Sequence, residues 1–139
     1  MKEMKSERGF TLIELLVVIL IVGILAAIGM ATFLNQRSKG QDTEAKAAAS
    51  LIAKTLIMYE HDERTFATAN SGALIALEPA IADGPAFTVT TGAADFEIEV
   101  TSDSGLNGGG PFRIEYDAGD VVKSCDAPGA GSCPDSGRW

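Results

Sequence analysis

The chain opens with alternating charges, turns abruptly apolar, and ends in short stretches where apolar and polar residues alternate. Residues 9–22 read GFTLIELLVVILIV, and from Leu15 to Leu34 twenty consecutive residues carry no formal charge. At about 1.5 Å rise per residue such a run forms a helix of roughly 30 Å, the hydrocarbon thickness of a bilayer. One carboxylate, Glu14, sits at the edge of this run. Further on, Ala45, Ala48, Ala49, Ile52, Leu56 and Tyr59 recur at steps of three and four, the stripe of an amphipathic helix. Asp42, Glu44, Lys46 and Lys54 are assigned to the opposite, solvated face. The pattern predicts one long helix from about residue 10 to about residue 60, with a wholly apolar first half and an amphipathic second half.

Gly23, Gly29 and Gly40 interrupt that helix, each at a cost of about 1 kcal/mol relative to alanine. The small residues at 23, 26, 27 and 29 are read as allowing close helix packing rather than local melting. Past Asp62 the texture changes. Residues 63–85 mix small residues with turn formers and predict a connecting loop with a short helix at 72–77. Three runs of period two follow: Phe87, Val89, Thr91; Phe96, Ile98, Val100; and Phe112, Ile114, Tyr116. Turn-forming residues at 92–95, 107–110 and 117–120 separate them, and Val121-Val122 suggests a fourth strand. The expected fold is α+β: a small antiparallel meander of three to four strands laid over the amphipathic half of the helix.

The net charge of −8 is spread unevenly. Lys2, Lys5 and Arg8 against Glu3 and Glu7 leave the first nine residues at +1, and the remainder stands at −9. A basic flank before an apolar span keeps the N-terminus cytoplasmic and sends the acidic part across the membrane. That acidity also excludes nucleic-acid binding by the head, which needs a basic patch. Cys125 and Cys133, in SCDAPGAGSC, are in an exported domain most simply a disulfide. The gap between them is not a zinc spacing.

Three readings compete for the N-terminal segment. A cleaved secretory signal would end near Gly29-Met30-Ala31 and release a soluble exported binding domain, but the apolar run is too long for one. A plain anchor fits the length and leaves Glu14 unexplained, since a carboxylate at a span's centre costs about 2.5–3.5 kcal/mol on insertion scales. The third reading accounts for Gly9-Phe10-Thr11-Leu12-Ile13-Glu14, the short charged leader before it, and Gly23-Ile24-Leu25-Ala26-Ala27-Ile28 after it. Residues 1–30 closely resemble the class III signal of bacterial type IV pilins and pseudopilins.

The resemblance implies a definite programme. A prepilin peptidase would cleave between Gly9 and Phe10 and N-methylate Phe10. Glu14 would then pair with the Phe10 amine of a neighbouring subunit, a partner that exists only once the leader is gone. Many relatives carry a proline near the end of the apolar run, and this chain has none there. The implied domains are a cleaved leader (1–9), a transmembrane and filament-core helix (10–34), an amphipathic helix half (35–62), a connecting loop (63–85), an antiparallel sheet (86–124) and a disulfide-closed C-terminal loop (125–139). The implied function is that of a structural subunit of a type IV pilus, with a pseudopilin of a type II secretion system as the alternative. Implied partners are further copies of the chain, the prepilin peptidase, the inner-membrane assembly platform with its ATPase, and the membrane before assembly. The precursor would sit in the inner membrane and the assembled fibre outside the cell.

Nothing in the chain suggests catalysis or a cofactor. His61, the only histidine, lies among acids in YEHDE and reads as a solvated helix end. Asp117, Asp120, Asp126 and Asp135 match no standard calcium loop, and no metal is expected. Phe10, Phe33 and Tyr59 are read as core packing.

Overall fold

The computed structural model describes residues 9–139; the charges expected of a leader, Lys2, Lys5 and Arg8, lie outside the described residues. The chain divides at Leu34 into two compact units. Helix α1 covers Leu12–Glu63, two to three residues later at each end than the periodicity predicts. It stays helical through Gly23, Gly29 and Gly40. In the first unit every residue from Leu12 to Leu34 is exposed, because the run is apolar around its whole circumference and nothing in that unit covers it.

In the second unit, Asn35–Trp139, the rest of α1 is joined by helix α2 (Ser71–Leu77), a short 3-10 turn at Pro79–Ile81, and strands β1 (Phe87–Thr91), β2 (Asp95–Val100), β3 (Phe112–Asp117) and β4 (Asp120–Cys125). The sheet order is β1-β2-β3-β4, and each neighbouring pair is antiparallel. It is the expected meander, with a full fourth strand. The alternating residues fall into register on one face: Val89 opposite Ile98, Ile98 opposite Ile114, Val100 opposite Phe112, Phe96 opposite Tyr116. That face closes over Ala45, Ala49, Ile52 and Leu56 of α1, all fully buried, with Ala48 and Tyr59 packed at the margin.

One assignment from the periodicity is overturned. Asp42 does not lie on the solvated face; it is fully buried and continues the stripe 42, 45, 49, 52, 56. Lys46 is half-buried. Its ammonium lies over the rings of Phe112 and Trp139, with Nζ 5.2 and 5.6 Å from their centroids.

The connecting segment is more structured than its composition suggests. Arg64, in the left-handed region at φ 61°, ends α1, its N–H bonding Glu60 O at 2.7 Å. Phe66 then turns inward and stacks edge-on against Phe96 and Tyr116, with centroids at 5.0 and 5.6 Å. Asn70 caps α2 by accepting from Ala73 N at 3.0 Å.

Candidate functional site

Gly9, Phe10 and Thr11 lead into α1, and all three are exposed. A side chain built on Gly9 would meet nothing within 4 Å, so the fold itself places no demand for glycine there. Phe10 is 87% exposed and Phe33 66%, so neither packs on a core in this chain. Of the three aromatics assigned to core packing only Tyr59 does so, its hydroxyl 3.0 Å from Thr68 Oγ1.

Glu14 has partners that pattern reading missed. Thr11 N–H and Thr11 Oγ1 donate to its Oε2 at 2.8 and 2.7 Å, and Glu14 N–H donates back to Thr11 Oγ1 at 3.3 Å. This is a reciprocal capping box, Thr11 at the cap and Glu14 three residues on. The signal was present in the sequence as T-x-x-E before an apolar run. The arrangement uses one oxygen of the carboxylate and leaves Glu14 exposed at the helix start.

The second constellation surrounds Asp42. One carboxylate oxygen accepts from Ser102 Oγ and Ser104 Oγ, both at 2.6 Å; the other accepts from Gly109 N and Ser132 N, both at 2.8 Å. Burial pushes this carboxyl's pKa up, but the four donors outweigh burial and hold it below the ordinary aspartate value. Lys46, one turn along, donates from Nζ to Ser132 O at 2.5 Å. Burial draws its pKa down, with nearby Asp42 opposing. Two loops, 101–111 and the disulfide loop, are thereby tied to α1. Close approach requires the glycines here: a side chain on Gly131, at φ 54°, would fall 2.0 Å from Asp42 Oδ2.

Cys125 and Cys133 form the expected disulfide, with Cα atoms 5.9 Å apart. The chain beyond it returns along the free edge of β4: Ser124 pairs with Arg138, Cys125 N bonds Gly137 O at 2.9 Å, and Trp139 Nε1 donates to Ser124 O at 2.8 Å. The late aspartates do not converge. Asp117 and Asp120 face each other across the β3–β4 turn, whereas Asp126 pairs with Arg113, which also reaches Glu99 at 2.6 Å. Asp126 first, then Glu99, raise the Arg113 pKa and keep it charged. Among the described residues no three metal-ligating side chains come together. His61 is exposed beside Asp62.

Comparison with known proteins bears on the first constellation above all. Residues 4–30 match the prokaryotic N-terminal methylation motif. The chain is 42% identical over 74 residues to the type IV wide pilus major component PilA4 of Thermus thermophilus, covering 53% of this chain and 56% of that protein. It is 31% identical over 112 residues to the type IV major pilin protein PilA of Myxococcus xanthus, covering 80% of this chain and 50% of the relative. It is also 33% identical over 72 residues to the type II secretion system core protein G of Vibrio cholerae, covering 52% and 49%. The chain spans about half the length of the curated relatives it matches. No solved structure matches.

Proposed function

We propose that this chain, which carries the N-terminal motif and the helix-and-sheet fold of type IV pilins and pseudopilins, is the precursor of a type IV pilus subunit. The observation that carries the proposal is the helix from Leu12 to Leu34, none of whose apolar residues is covered by its own unit. A helix apolar on all sides needs either lipid or copies of itself. A pilin uses both in turn, lipid as stored precursor and neighbouring helices in the fibre. Copies related by a rotation and rise that do not close give an open filament.

The exposure of residues 9–11 supports processing at this point. An exposed glycine with no structural duty in the fold suits a backbone that must lie extended in a peptidase. Cleavage between Gly9 and Phe10 leaves the Phe10 amine, which the peptidase methylates. Glu14 pairs with that amine on a neighbouring chain, using the carboxylate capacity that Thr11 does not occupy. Pairing removes two charges from an apolar surrounding, and an unpaired charge there is costly enough to set the register between helices.

The test is direct. Co-expression with a prepilin peptidase should give a mature chain beginning at N-methyl-Phe10 by mass spectrometry; a start near Ala31 or Thr32 would sink the proposal. Glu14→Ala should be processed as wild type yet give few or no fibres in electron micrographs, and normal fibres from it would remove the pairing role.

Similarity to core protein G of secretion systems supports a second reading, that of a pseudopilin. Deleting this chain would then abolish secretion of folded substrates and leave surface pili in place, the reverse of the outcome expected for a pilin.

A further inference from the structure

Strand β1 ends the sheet and is paired on one side only, with β2. The ladder fixes which of its backbone groups look outward. Thr101 N bonds Ala86 O at 2.9 Å, and Gly92 N bonds Asp95 O at 2.9 Å. In the antiparallel register the pairs between them that exchange bonds are then Thr88 with Glu99 and Thr90 with Glu97. The N–H and C=O groups of Phe87, Val89 and Thr91 point away from β2, and among the described residues no hydrogen bond reaches them.

The other edge of the sheet is guarded. Along β4 the chain end returns, with Ser124 paired to Arg138 and Trp139 N bonded to Lys123 O at 3.3 Å, and Asp120 and Lys123 put charges on the strand itself. Along β1 the usual protections are missing. Phe87–Thr91 holds no proline and no charge, its register has no bulge, and no charged residue stands between Asp83 and Asp95. Residues 35–139 carry a net −8, and this neutral strand is where a like-charged copy can come close.

We infer that β1 pairs antiparallel with β1 of a second copy of this chain, joining two four-stranded sheets into one. The outward groups are symmetric about Val89. Val89 meets Val89 of the second copy and Phe87 meets its Thr91, each pair exchanging both bonds. The contact is isologous, with the same strand on both sides. Glu97 and Glu99 of the two β2 strands then stand three strand spacings apart, about 14 Å, beyond the screening length of about 10 Å at 0.1 M salt. The pairing involves the second unit alone and requires no fibre.

The register makes the test specific. Thr88 comes opposite Thr90 of the second copy at a non-hydrogen-bonded pair, with Cα atoms about 4.5 Å apart, within reach of a disulfide. Two Thr88 residues, or two Thr90, lie on a diagonal of about 7–8 Å, too far for one. Both threonines are exposed, and both natural cysteines are already bridged. Full-length Thr88→Cys carrying a size tag is mixed in detergent micelles with untagged Thr90→Cys under mild oxidation. The mixed dimer should exceed its statistical share over the two like dimers several-fold. Val89→Pro in both chains removes an outward N–H and no bond to β2, and should abolish the excess. A statistical mixture overturns the pairing, whether it comes from random collision, from association through the apolar helix or from an edge that serves an unrelated peptide. The absence of any dimer, or an excess that persists with Val89→Pro, overturns it too.

Discussion

Asp42 is the residue whose environment the pattern of apolar positions least prepares one for. It stands three residues before Ala45 on the core stripe, where a leucine would be unremarked, and its four donors come from chain 60 to 90 residues away. A helical-stripe reading sorts residues by polarity, so an aspartate goes to the solvent side by default. The signal that could have placed it is the clustering of donors without bulk: Ser102 and Ser104, then Gly108-Gly109, then Gly131-Ser132. Asp42→Ala should destabilise the second unit by about 3–5 kcal/mol, because four donors lose a buried charged acceptor at once. Urea titration of the full chain in detergent, followed by near-ultraviolet signals from Trp139, checks this. The pH dependence has a definite sign. Since the folded pKa is depressed, the stabilisation is complete above the ordinary aspartate value near 4. It is lost as pH falls below that value through the folded pKa. Asp42→Asn should flatten that acid limb.

At the scale of elements, the strands were legible because period two leaves little freedom: a slip of one residue would turn Phe96, Ile98 and Val100 outward. The fourth strand was only half visible. Val121 and Val122 are exposed, and Lys123 and Ser124 carry no apolar alternation; β4 exists because β3 pairs with it along six residues and the last residues cover part of its edge. The turn joining β3 and β4 holds Ala118 at φ 50° and Gly119 at φ 100°, and the first of these is a strained position for alanine. Ala118→Gly should raise stability by about 0.5–1 kcal/mol in the same titration, relief of strain exceeding the entropy added to the unfolded chain. Reduction of the Cys125–Cys133 bridge should cost about 2–3 kcal/mol on the chain-entropy account for a loop this short. The N-terminal element was the most legible of all, since its composition and its motif point the same way. The capping box was less legible, because the carboxylate's cost in lipid shows in composition alone whereas its bonds to Thr11 depend on the geometry of the helix start.

For the whole molecule, the two units make opposite demands on their surroundings. The first presents an apolar helix. The second carries eight basic and sixteen acidic side chains between residues 35 and 139, a net −8. If the chain polymerises as proposed, like-charged units come together, and that repulsion is screened over about 10 Å at 0.1 M salt. Fibres should accordingly form and bundle more readily as salt rises from about 10 to 150 mM, a trend that sedimentation of assembled fibres would reveal. On the proposed function, burial of the apolar helices drives assembly, so salt should tune its extent and leave the effect of Glu14→Ala unchanged. The proposed function was legible at this scale because resemblance to a single short motif implies processing, storage and polymerisation together.

The buried carboxylate of Asp42 also sets a clock. Hairpins β1–β2, β2–β3 and β3–β4 close between near neighbours in the chain, but the bond from Ser132 to Asp42 and that from Lys46 to Ser132 span 90 and 86 residues. In a chain made from its N-terminus, α1 appears well before residue 132. Until then the aspartate lacks its Ser132 donor, and the tie between this last loop and α1 waits for it. A chain arrested before residue 132 should therefore leave Asp42 short of that donor and the second unit short of its full stability.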